Sequence, residues 1–181
     1  MAAPAAADPA SAQPALAPAD PAPAEPPTRA ITQLRVPQIG LKAEVVPAQL
    51  VEVAGGTTWA VPAFKAGHGE HTAGAGEPGN AVLLGHVTSL DAGNVFRELH
   101  RLRRGNLVQV VSGERTFDYR VVAVWQVPRT DLSALQPTET ASVSLVTCTG
   151  AWLPALQDYA ARLVVRAELV APPAASPAAA P

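Results

Sequence analysis

The chain has 181 residues, 48% of them hydrophobic, which is enough for one well-packed domain and short for two. Thirteen Lys and Arg stand against 15 Asp and Glu, a formal net charge of -2, so no global positive field draws the chain to nucleic acid or acidic lipid. A single cysteine excludes an internal disulfide scaffold, and neither a signal peptide nor an apolar run of the roughly 18 to 20 residues that span a bilayer is present, so the chain as given is expected to be soluble.

From Met1 to Arg29, 12 Ala and 8 Pro fill 20 of 29 positions, and from Ala171 to Pro181 Ala and Pro fill 10 of 11. Repeated prolines such as Pro14, Pro18, Pro21 and Pro23 break an alanine helix every few residues. Both ends, 1–29 and 171–181, are therefore expected to be disordered, polyproline-like spacers around a single domain over 30–170.

Within that domain strands are predicted at Leu34 to Val36 and Ala43 to Val46. Leu50 to Val53 and Thr58 to Val61 follow as a hairpin closed by Ala-Gly-Gly-Thr. His68-Gly-Glu-His71 lies in a run rich in glycine (Gly67, Gly69, Gly74, Gly76, Gly79), which reads as a surface loop or an active-site flap. Two imidazoles and a carboxylate make a surface metal site conceivable there, but zinc would want a third or fourth well-placed ligand, so no metal or other cofactor is expected.

A strand follows at Asn80 to Val87. Asn94 to Leu102 carries the one clear helical period, with Val95, Phe96, Leu99 and Leu102 at three- and four-residue steps behind a candidate Asn94 cap. The arginines Arg97, Arg101, Arg103 and Arg104 around it read as a solvated face. Asn106 to Val111 turns through Ser-Gly-Glu into Thr116 to Val127, where period two puts Phe117, Tyr119, Val121, Ala123, Trp125 and Val127 on one face. Strands at Ser142 to Thr147 and Arg162 to Leu169 complete the set. The class is all-β with short helices, a closed or nearly closed barrel, or a sandwich.

Two strand ends carry chemistry. Asn-Ala-Val-Leu-Leu-Gly leads to His86, and Val-Ser-Leu-Val-Thr leads to Cys148. A cysteine nucleophile needs a proton-transfer partner and an oxyanion donor, and adjacent strands about 5 Å apart would bring thiol and imidazole together. Alone, such a cysteine is ordinarily a small buried hydrophobe, and such a histidine a satisfied polar residue. The residue order, with His before Cys, excludes the papain arrangement, and Val146-Thr-Cys-Thr-Gly150 does not fit the caspase signature.

Taken together, Ser144-Leu-Val-Thr-Cys148, Leu84-Gly-His86 and Arg162-Leu-Val-Val-Arg-Ala167 resemble the cysteine, histidine and arginine motifs of the sortase family of bacterial transpeptidases. Leu34-Arg-Val-Pro-Gln-Ile-Gly-Leu41, Gly79-Asn80 and Val95-Phe-Arg-Glu-Leu99 resemble further sortase segments in their usual order, with Ser144 standing in place of the first Thr of the cysteine motif. The resemblance implies a closed eight-stranded sortase-like β-barrel and an active site of Cys148, His86 and Arg162. Cys148 would attack a sorting signal of the LPxTG type, His86 would transfer protons, and Arg162 would hold the substrate backbone or the oxyanion. Arg166 lies on the same face by spacing, and the motif favours Arg162. Thr147 is expected to contact substrate or make a hydrogen bond.

The implied partners are the sorting-signal peptide and an amine acceptor from the cell wall or a pilin, with no nucleic acid, and the protein is expected to be a monomer at the bacterial surface. The family usually carries a membrane anchor, so either the anchor lies outside this chain, Met1 being an expression start, or this member is released. Hydrolysis, pilin joining, and non-catalytic peptide binding by a β-barrel stay open as alternative functions.

Overall fold

A computed structural model describes residues 29–53 and 56–170. The spacers expected over 1–29 and 171–181 lie outside the described residues except for Arg29.

Among the described residues ten strands form: β1 (Gln33–Val36), β2 (Leu41–Ala48), β3 (Leu50–Val53), β4 (Gly56–Trp59), β5 (Ala66–Gly69), β6 (Gly79–Leu84), β7 (Leu107–Ser112), β8 (Arg115–Pro128), β9 (Ala141–Leu153) and β10 (Asp158–Leu169). Eight close into a barrel in the order β1-β2-β5-β6-β9-β10-β8-β7, while β3 and β4 pair as a separate hairpin. The expected eight-stranded closure is therefore present, and it is mixed: β2 runs parallel to β5 and β6 parallel to β9. Leu34, Val36, Leu83, Val110, Tyr119, Leu145 and Val165 fill the interior, all essentially without solvent exposure. Closure removes free strand edges from most of this sheet.

The structure departs from the sequence expectations in four places, each for a local reason. Asn94 to Leu102 forms no α-helix, only successive turns ending in a 3-10 turn at Leu99–Arg101. Its amide bonds run to the third residue back, from Arg97 to Asn94, Leu99 to Phe96 and Leu102 to Leu99. Phe96, Leu99 and Leu102 are spaced by three, the 3-10 repeat, and all three are fully buried, so apolar spacing located the buried face but not the helix type.

The second departure is in β8, whose face does not stay constant. Opposite it Arg166 pairs with Ala123 and Ala167 with Val121, leaving Val122 as an extra residue. This bulge shifts the phase by one: Phe117, Tyr119 and Val121 point into the barrel, whereas Trp125 and Val127 pack on its outer wall and Ala123 is exposed.

The third is the glycine-rich run, which contains the barrel strand β5 with His68 in it rather than a flap. Its glycines serve close packing. A Cβ at Gly67 would sit 2.7 Å from Pro62 Cδ and one at Gly69 2.9 Å from the Trp59 ring, so their absence lets the β3–β4 hairpin and the segment that follows it lie against the barrel. Glu70 turns toward that hairpin, accepting from the Leu50 amide at 3.2 Å, and His68 Nε2 meets the Ala73 carbonyl at 2.9 Å. No cluster of three or more His, Cys, Asp or Glu placed to hold a metal ion occurs among the described residues.

The fourth concerns strand ends. β6 stops at Leu84, leaving His86 in the following loop, and β9 runs on past Cys148 to Leu153. Cys148 therefore sits within a long hairpin that outreaches its neighbour, not at a strand terminus.

Candidate active site

Alternation along β6, β9 and β10 sorts their side chains cleanly. Leu83, Leu145, Leu163 and Val165 enter the core, whereas Val82, Val146 and Val164 form a second apolar cluster on the outer wall with Val127 and Ala134. Cys148 and Arg162 share the outward parity of Val146 and Val164, so both open onto this outer wall. In the ladder they are direct partners, Arg162 opposite Cys148, while Arg166 stands opposite Ser144. Spacing left the two arginines equivalent, and pairing separates them.

On the other side of β9, the parallel register with β6 ends at Leu84 opposite Val146. His86 and Cys148 each follow two residues later, so His86 enters from the loop after β6 on one side of β9, and Arg162 from β10 on the other. Thr147 is buried, with 4% exposure, and its hydroxyl donates to the Gly85 carbonyl at 2.7 Å, tying the start of the histidine loop to β9. Of the two roles expected for Thr147, hydrogen bonding is the one this geometry supports. Gly85 is obligatory here: a Cβ would lie 2.7 Å from the ring of Phe96, and the Phe96 amide bonds the His86 carbonyl at 3.0 Å. His86 Nε2 meets the Val61 carbonyl at 3.3 Å. A carbonyl only accepts, so in the neutral ring this contact puts the proton on Nε2 and the lone pair on Nδ1.

A groove of about 120 Å³ runs along the outer wall to Arg162, lined by Trp59, Leu84, Val127, Leu132, Leu135 and Val146 among others. One side is the β8–β9 loop, held by a network the sequence did not reveal. Asn80 Nδ2 donates to the carbonyls of Ala134 and Gln136 at 3.1 Å each, and its Oδ1 accepts from Ser144 at 2.8 Å. Arg166 donates to the Ala134 carbonyl at 2.7 Å and to Ser144 at 3.2 Å, and stacks over Trp125. Arg166 is thus committed to loop structure.

Burial pushes the Cys148 thiol above the usual cysteine range; the Arg162 charge works against this and the Asp158 charge adds to it. The alkylation rate of Cys148 in the folded protein should therefore keep climbing past the pH at which a solvated cysteine levels off. A folded-state thiol that does not react at all would be a buried filler instead. Asp158, also missed from sequence, lies against Arg162 at 2.7 Å. Burial would raise its carboxyl, but hydrogen bonds from Arg162 and the Tyr159 amide, with attraction to Arg162 and Arg129, hold it below the usual carboxylate range.

The Sortase domain family model matches residues 34–170. No curated protein matches the chain by sequence. Among solved structures, a Clostridium perfringens sortase D5 transpeptidase superposes with a TM-score of 0.61 at 23% identity, covering 78% of this chain and 79% of that one. Listeria monocytogenes sortase A gives 0.61 at 19% identity, covering 78% and 88%. A lid mutant of Corynebacterium diphtheriae sortase A gives 0.61 at 22% identity, covering 83% and 75%. At these identities the structural likeness speaks for the barrel. The family match runs from β1 through β10, and on that ground the chain belongs to the sortase family of cysteine transpeptidases.

Proposed function

We propose that residues 30–170 form a catalytic domain that cleaves a sorting signal of the LPxTG type through a thioacyl-enzyme on Cys148 and transfers the acyl group to an amine. The observation that carries this reading is the cross-strand pairing of Cys148 with Arg162, which lines an apolar outer-wall groove, with His86 two residues past the end of the strand on the other side of β9. A groove of apolar side chains with a few polar groups at one end suits a short peptide whose side chains are buried and whose backbone is oriented by hydrogen bonds.

With its thiol held high by burial, Cys148 starts protonated, so attack and proton transfer are coupled. Sγ adds to the carbonyl carbon before the scissile bond, between Thr and Gly in such a signal, as the thiol proton passes to His86. Arg162 meets the oxyanion that forms. The C–N bond then breaks, His86 gives its proton to the leaving amine, and a thioester remains. An incoming amine attacks the thioester, His86 takes the amine proton, and the departing sulfur regains it, restoring thiol and imidazole.

Sortases act outside the cytoplasmic membrane, and we place this chain at the bacterial surface, anchoring surface proteins to the cell wall. No helix among the described residues is long and apolar enough to cross a membrane. The test is incubation with LPxTG-type peptides with and without an added amine, followed by mass analysis of the products. Transfer product that grows with amine concentration supports transpeptidation. Hydrolysis product alone with every amine, a lysine-bearing pilin segment included, overturns the transfer step, and a lysine-linked product would favour pilin joining over wall anchoring.

A further inference from the structure

We propose that Asp158 is a positioning residue for Arg162: it fixes the guanidinium beside Cys148 and balances its charge, leaving Nε–H as the donor that faces substrate. This inference rests on the catalytic reading above.

Arg162 lies back along its own strand, and its four acceptors all come from residues 158–161. One terminal nitrogen donates to both Asp158 oxygens, at 3.0 and 2.7 Å. The other donates to the carbonyls of Tyr159 and Ala161, at 3.2 Å each. Both terminal nitrogens are thereby engaged, and Nε–H has no acceptor among the described residues. On a straight strand, residues four apart are separated by about 13 Å, near the limit of what these two side chains bridge. The β9–β10 ladder is irregular between Tyr159 and Ala161, and Gly150 on the facing strand takes φ +81°, so the hairpin is bent where the pair forms.

Both side chains are about three-quarters buried, so the pair is not a solvated surface contact. Asp158 also lies 3.9 Å from Arg129, which lines the groove. Arg162 and Asp158, whose charges act on the thiol, come with Tyr159 from β10, Arg129 follows the end of β8 behind Asp158, and His86 lies in the loop after β6.

An oxyanion donor helps only if it is in place before charge develops, and a guanidinium on a flexible stem loses that when its clamp is cut. Asp158→Asn is expected to lower kcat about tenfold or more while KM stays within about twofold, and Asp158→Glu to recover most of the loss. In an Arg162→Ala background the Asp158→Asn effect should vanish, because the two act as one unit. Equal cost in both backgrounds, or unchanged kcat in a variant that melts like wild type, overturns the proposal.

A second arm needs no substrate: the rate ratio for alkylating Cys148 with anionic iodoacetate over neutral iodoacetamide. It should rise about threefold or more in Asp158→Asn as Arg162 and Arg129 lose their counter-charge. If wild type turns over no sorting-signal peptide, the catalytic reading fails, and this ratio still decides on Asp158; an unchanged ratio rejects its charge-balancing role.

Discussion

Cys148→Ala is expected to abolish turnover of sorting-signal peptides, a loss of at least about 10⁴-fold in kcat. Without sulfur no thioester forms, and neither His86 nor Arg162 supplies another nucleophile. The size of the loss follows from the three groups acting in one step, so that removing the nucleophile forfeits most of what the others contribute. Cys148 is half-buried at the outer wall rather than in the core, so the variant should keep its fold and melt close to wild type. Intact-mass measurement gives a direct companion readout: wild type without amine should gain the mass of the acyl fragment, and Cys148→Ala should not. Equal cleavage by the two proteins would sink the assignment of Cys148.

Arg162→Ala should cost about 10²–10³-fold in kcat, or about 2.7–4 kcal/mol, the range found when an oxyanion donor is removed. Arg162→Lys should recover little, because an ammonium keeps the charge but not the fork that grips Asp158 with one nitrogen while presenting Nε–H elsewhere. The control is Arg166, of the same residue type four positions on. Its donors go to the Ala134 carbonyl and to Ser144, so Arg166→Met should loosen the β8–β9 loop and lower the melting temperature, changing KM more than kcat. Reversed results, with Arg166 controlling kcat and Arg162 controlling stability, would refute the pairing argument that separates them.

The candidate nucleophile and its two partners could be picked out from the sequence. Cys148, His86 and Arg162 stand out as candidates because each closes or opens an apolar run of the sequence with a residue type that does chemistry, and because their motifs come in a recognisable order. Asp158 could not be found that way. It lies among Leu, Gln and Tyr with nothing to distinguish it from a turn carboxylate, and its role exists only because a bent hairpin brings it onto Arg162. Asn80 is similar: the Gly79-Asn80 pair was visible as a motif, but its bonds reach residues 54 and 56 positions away.

The chain's amino-acid order alone determined the all-β class and singled out the candidate reactive groups, since these follow from period-two alternation and side-chain chemistry, both local properties. Tertiary structure decided the rest. Whether a turn of Phe96, Leu99 and Leu102 is α or 3-10, which way β8 faces after Val122, and which arginine stands beside the thiol all depend on partners distant in sequence. A register is a pairing between two strands, and a one-residue shift in it sends every later side chain to the opposite face, so no single strand carries enough information to set it.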